Sequence, residues 1–165
     1  MFNLFKKKVT VEEFGHQMWL FCCDCAEKFC LDYRPQLQAA GYLKNPTADR
    51  LFMEEAMRLH LWIISRALGN EDRNILDMLH NHAHGLYFVN SRTLSDLYEI
   101  YDHAAIKSDD LRGKGIGQPV VAMTALKYLV NDNAYTDCVL EPLVHIDINM
   151  TFNAVRKVRS EFIIR

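Results

Sequence analysis

Histidine, cysteine and carboxylate side chains are the groups in this chain that could bind a metal ion or move a proton. Three of the seven histidines lie in residues 75–87, which read ILDMLHNHAHGLY. On a helix, His82 shares the apolar face, whereas His80 and His84 lie on the polar side with Asp77. The stretch therefore predicts that His82 is largely buried and that the other two histidines are largely exposed.

A second histidine, His60, falls on the apolar face of the preceding predicted helix. Counted from the predicted turns at 1.5 Å rise per residue, His60, His82, Cys22 and Cys25 lie in a similar layer. Thiolate and imidazole are ligands that zinc prefers, so these four residues are the candidate metal site. Alternatively, they are core residues with local hydrogen bonds, or they line a pocket for a small ligand. Asp147 is a candidate partner for either histidine.

Carboxylates and histidines also recur on the outward faces of two predicted helices. The two sets share one spacing and consist of Asp77, His80 and His84, and of Asp96, Glu99 and His103. Facing carboxylate and histidine pairs build di-iron sites in helix bundles. Here each set lies opposite its own apolar stripe, so we expect both faces to contact water. No nucleophile, base and orienting group stand at a recognisable spacing, and an enzyme is therefore not the favoured interpretation.

An aromatic residue stands on the charged side of the second predicted helix. Trp62 lies one turn from both Arg58 and Arg66, whose guanidinium groups can stack on an indole ring. We expect Trp62 to face outward as part of a ligand- or partner-binding surface, and a symmetric homodimer to cover it. Alternatively, the N-terminal segment or the last helix covers this side within one chain.

Helical periodicity of apolar residues dominates the chain and predicts an all-α, single-domain bundle of about six helices over residues 1–165. The predicted helices cover 11–33, about 46–68, 70–84, 93–105, 119–131 and the chain from 140 onward. The fifth is apolar on most sides, so we expect it to be central. Residues 143–152 also alternate as a strand would, but a lone strand would lack a partner, which favours a helix. The glycine-broken loop at 113–117 is interpreted as a linker.

Composition limits the classes of function. The 165 residues are 50% hydrophobic, enough for a core without disulfides, and no apolar run reaches the ~18 residues of a membrane span. The N-terminus does not resemble a signal peptide, and five cysteines, four of them within residues 22–30, favour reduced thiols in a cytoplasmic protein. The acidic body between basic ends argues against nucleic acid as a partner.

These patterns favour a helical interaction or regulatory module, with a protein partner or a second copy of the chain as its target. The alternative is a bundle that binds a metal or a small ligand through the core histidines and cysteines. The sequence indicates no particular cofactor.

Overall fold

The computed structural model describes residues 6–69, 72–84, 94–106, 119–132, 135 and 139–165. Within these ranges the chain forms six helices and two short strands, and the predicted all-α bundle is confirmed. The helices are α1 (Val11–Ala39), α2 (Pro46–Leu68), α3 (Arg73–His84), α4 (Leu94–Ile106), α5 (Pro119–Leu129) and α6 (Leu140–Ser160). The strands are β1 (Lys7–Val9) and β2 (Phe162–Ile164).

The first helix begins as its sequence predicts and ends later. Thr10 and Glu13 form a capping box, in which each side chain accepts a hydrogen bond from the other residue's backbone N–H. The prediction that α1 ends at residue 33 is wrong, because the helix continues through Pro35 to Ala39. The turn after the proline carries Leu37, which is fully buried, and this burial holds the last turn in helical conformation.

The second helix is the one around which the others pack. Asn45 caps it, Pro46 occupies its first turn, and Gly69 ends it with a positive φ, as the sequence predicts. It contacts α1, α3, α4, α5 and α6, so α2 holds the central position that we expected of the fifth helix. In its middle, from residue 54 to 64, side chains are buried on every side of the helix.

The third helix packs closely against the N-terminal half of α1. A Cβ atom added to Gly15 would stand 2.9 Å from the Cβ atom of Met78, so the missing side chain lets the two helices approach. The sequence also favours Asn70 and Thr93 as N-caps of the third and fourth helices and Gly85 as the end of the third, and these residues, like the 113–117 loop, lie outside the described residues.

The sixth helix settles the ambiguous last third of the chain. Residues 140–160 are helical, and α5 ends two residues before its predicted end. The strand-like alternation arises because α6 is apolar on two faces. One face carries the buried Val144 and Ile148, and the other carries the exposed Ile146 and Met150.

The two strands form a parallel pair that joins the ends of the described chain. Lys7 is opposite Phe162, and Val9 is opposite Ile164. The predicted helix from residue 140 onward includes Phe162, and that prediction is wrong, because α6 ends at Ser160. β2 has a partner because the segment before α1 is extended and forms β1. In β1, Val9 is buried, and Lys7 and Lys8 are exposed.

Candidate functional site

A cleft lies over the middle of α2, between α1 and α6, with a volume of about 350 Å³. We call it the His60 cleft. It is lined by Phe21, Asp24, Cys25, Lys28, His60, Asp147, Met150, Thr151 and Ala154. The residues from α1 and from α6 each recur at intervals of three or four, which places each set on one face of its helix.

His60 lies in this cleft with a fixed ring orientation. Its side chain is 1% exposed, its Nδ1 atom lies 2.8 Å from the carbonyl oxygen of Ala56, and Phe29 packs edge-on at 5.5 Å between ring centroids. A carbonyl oxygen only accepts hydrogen bonds, so Nδ1 is the donor. In the neutral ring Nε2 is then an acceptor. Asp147 Oδ2 lies 3.8 Å from it, so Asp147 is beside a core histidine, as the sequence suggested.

The thiol of Cys25 shares the cleft and stays protonated at neutral pH. Burial raises the pKa of Cys25 to about 11, the Asp147 carboxylate adds to the rise, and a hydrogen bond with Thr151 opposes it. Because the thiolate is the metal ligand and the nucleophile, this environment works against both roles for Cys25.

The four candidate metal ligands do not form one site. Cys25 and His60 line the same cleft, whereas the buried Sγ atom of Cys22 lies 3.6 Å from Met57 Sδ. His82 stacks on Trp19 with 5.7 Å between ring centroids. Across the described parts of the chain, no group of three or more His, Cys, Asp or Glu side chains is arranged to hold a metal ion.

Trp62 does not face outward, and that prediction is wrong. Its side chain is 1% exposed, its indole Nε1 donates a hydrogen bond to Asp102 Oδ1 at 2.9 Å, and Tyr101 packs against it. Arg58 is also fully buried and pairs with Glu55 at 2.6 Å. The physical reason is that α4 packs on this side of α2. A helical-wheel projection of the α2 sequence does not show which other helix covers each face.

Arg66 is the member of the predicted Trp62 surface that remains accessible, with 47% of its side chain exposed. It forms an ion pair with Asp102, the residue that also accepts the indole hydrogen bond. Trp62 and Arg66 therefore join α2 to α4 through Asp102, whereas Arg58 pairs within α2, and the three predicted ligand-binding residues do not present an open aromatic surface.

The predicted histidine exposures are correct on α2 and α4 and wrong on α3. His60 on α2 is buried and His103 on α4 is exposed, as predicted. On α3, His80 and His82 are both half-buried. They flank the buried line of Ile75, Leu79 and Ala83 on opposite sides, so α4 covers one and α1 covers the other. The side chains of His84 and Asp96 lie outside the described set, and Asp77 and Glu99 are exposed.

A polar cluster that we did not predict joins three helices. The Nε2 atom of His80 lies 2.9 Å from the hydroxyl of Tyr98 and 3.4 Å from Ser65 Oγ, and the two hydroxyls are 3.1 Å apart. Burial raises the pKa of the Tyr98 hydroxyl well above its usual value, so it remains protonated and can donate. These contacts join α2, α3 and α4 through hydrogen bonds, each of which contributes about 1 kcal/mol.

A row of exposed apolar side chains begins at Val139, the residue before α6, and continues along the side of α6 away from the core, and we call it the α6 stripe. It consists of Val139, Leu143, Ile146 and Met150, which are 74%, 44%, 52% and 64% exposed. Their spacing of four, three and four residues is that of a coiled-coil seam. This spacing is visible in the sequence, where we favour a helix without assigning it a second, exposed apolar face.

Scans against protein-family models and searches of curated proteins and solved structures found no match to this chain. Among the helices in the described part of the chain, none is both long enough and apolar enough to cross a membrane.

Proposed function

We propose that this chain is a helical protein-interaction module, that the α6 stripe is its binding surface, and that the partner is a second copy of the chain. The observation that supports it is the heptad-like row of exposed apolar side chains on α6. Single exposed apolar residues are ordinary, whereas a contiguous row at seam spacing is typical of a helix that packs against another helix.

The order of residues along α6 favours an antiparallel pair. The spacing reads the same in both directions, so a two-fold axis between Leu143 and Ile146 places each of them opposite the other in the second copy. Continued along the helix, the seam reaches the exposed Lys157. A parallel pair would bring two such lysines together, whereas an antiparallel pair separates them and opposes the helix dipoles favourably.

The charge of the chain is compatible with self-association. The formal net charge is −2 at pH 7, so two copies repel one another little. The proposal is still a homodimer, as the sequence predicts, but its interface is the α6 stripe and not Trp62, which is buried within the chain.

The test is sedimentation velocity of the wild type and of Ile146→Glu over micromolar concentrations. A glutamate at the centre of the seam buries a charge on pairing, so we expect the wild type to sediment as a dimer and the variant as a monomer. Ile163→Glu is the matched control, because Ile163 is similarly exposed but lies on β2, and it should remain a dimer. A wild type that stays monomeric would contradict the proposal.

A further inference from the structure

Two hydrogen-bond acceptors face each other in the His60 cleft. In the neutral ring, the Nε2 atom of His60 accepts because Nδ1 donates to the carbonyl oxygen of Ala56, and the Asp147 carboxylate only accepts. Their separation of 3.8 Å is too long for a direct hydrogen bond. None of the described residues donates a hydrogen bond to Nε2. The two acceptors, His60 Nε2 and Asp147 Oδ2, are therefore arranged for a donor placed between them.

The distance between His60 Nε2 and Asp147 Oδ2 fits a single donor atom placed between them. An atom about 2.9 Å from each acceptor, the usual N–H···O length, forms a triangle with the observed gap as its base. The histidine ring is held in place by Ala56 and Phe29, so the imidazole acceptor is already oriented toward the gap, with Asp147 Oδ2 3.8 Å away on α6. Such preorganisation lowers the entropic cost of binding.

Charge and shape around the gap narrow the class of donor. Asp24 and Asp147 contribute two carboxylates to the cleft, and Lys28 contributes one ammonium, so the lining favours a cation over an anion. Phe21 and Met150 provide apolar walls beside these charges. A volume of about 350 Å³ lies within the range of small-molecule sites, which extends from roughly 300 to 1,000 Å³.

We propose that the His60 cleft binds a small organic cation, a primary ammonium carried on a short apolar or aromatic body. The ammonium has three donors and no acceptor, so it donates to His60 Nε2 and to Asp147 Oδ2 at once. The body of the ligand packs against Phe21 and Met150, and the ring of Phe21 adds an attraction to the positive charge.

The experiment uses phenethylammonium as the probe, with 2-phenylethanol and 3-phenylpropionate as neutral and anionic analogues of similar shape. Binding is measured by calorimetry and by nitrogen-15 NMR of histidine-labelled protein, with a chelator present throughout. The tested variant is Asp147→Asn, which removes a charge but keeps the shape. The matched control is Asp77→Asn, which removes a carboxylate from an exposed position on α3.

The expected result is saturable binding of phenethylammonium that shifts the His60 Nε2 resonance, with no comparable effect of either analogue. Asp147→Asn should weaken binding by about tenfold or more, the loss of one charge-assisted hydrogen bond, and Asp77→Asn should not change it. Circular dichroism of both variants verifies that they are folded.

Three results would overturn the inference. The first is no saturable binding in the millimolar range, and the second is equal binding by the wild type and Asp147→Asn. The third is a free protein in which His60 Nε2 already carries a proton at pH 7, because the acceptor pair would then not exist.

Discussion

The indole of Trp62 lies between α2 and α4, where Asp102 accepts its N–H and Tyr101 covers its ring. Arg58 and Arg66 lie one turn from Trp62 on either side, and their charges favour an interpretation of this face of α2 as solvent-exposed. Both arginines have carboxylate partners, Glu55 and Asp102 respectively, so the charges on this side are paired.

Replacing Trp62 with alanine should destabilise the fold and not merely detach a partner. We expect the free energy of unfolding to fall by about 3–5 kcal/mol, the usual cost of truncating a buried Trp. Urea unfolding followed by circular dichroism measures it, and Leu20→Ala, at a half-exposed position on α1, should change stability by less than about 0.5 kcal/mol. A loss below about 1 kcal/mol for Trp62→Ala would mean that α4 does not pack as described.

The thiols of α1 make stability depend on alkaline pH. Burial raises the pKa of both Cys25 and Cys30 to about 11, against about 8.5 for an unperturbed thiol. Between these values the folded chain holds protons that the unfolded chain releases, so stability falls as pH rises. The contribution of the thiols is therefore fully present below pH about 8.5 and is lost as pH rises through about 11.

A comparison of the wild type with the double variant Cys25→Ala and Cys30→Ala isolates this effect. Between pH 9 and 11, the difference in unfolding free energy, wild type minus variant, should fall steadily, because the variant lacks the two titrating thiols. Urea titrations at a series of pH values measure this difference. A difference that stays constant with pH would show that the two thiols titrate alike in the folded and unfolded chains.

At the scale of elements, the starts of α1 and α2 are encoded by nearby residues and can be predicted from the sequence. Thr10 with Glu13 marks the start of α1, and Asn45 with Pro46 marks that of α2. These signals are local hydrogen bonds, which a single sequence displays. The passage of α1 beyond Pro35 was not predictable, because it depends on the burial of Leu37 against other helices.

Contacts between distant parts of the chain account for the other differences. The pairing of β1 with β2 joins segments more than 150 residues apart, and no local pattern selects that partner. The His60 cleft was partly predictable, since His60, Cys25 and Asp147 were named as candidates. Their separation from Cys22 and His82 depends on how α1, α3 and α6 rotate about their own axes, and helical periodicity does not fix those angles.

The close approach of α1 and α3 gives a test at this scale. Alanine in place of Gly15 raises helix propensity by about 1 kcal/mol, but its Cβ would clash with Met78. Because the contact is with a Cβ atom and not a flexible chain end, we expect a net destabilisation of about 1–3 kcal/mol. Thermal or urea unfolding decides the sign, and a more stable variant would show that the two helices can separate at little cost.

At the scale of the whole molecule, the bundle has two apolar faces on one helix. The inner face of α6 completes the core with Val144 and Ile148, and the outer face carries the α6 stripe. Met150 belongs to both the stripe and the wall of the His60 cleft, so the two proposed surfaces adjoin. Pairing through α6 would bury apolar area that a monomer leaves in water, at roughly 25 cal/mol per Å².

An NMR measurement on a mixed sample tests the antiparallel α6 dimer most directly. One half of the deuterated protein carries labelled isoleucine methyl groups and the other half labelled leucine methyl groups, so a cross-relaxation signal between the two labels arises only between copies. The account predicts such a signal between Ile146 and Leu143 of the second copy, and its loss in Met150→Glu. Absence of any signal between copies at these methyl groups, at concentrations well above micromolar, would contradict it.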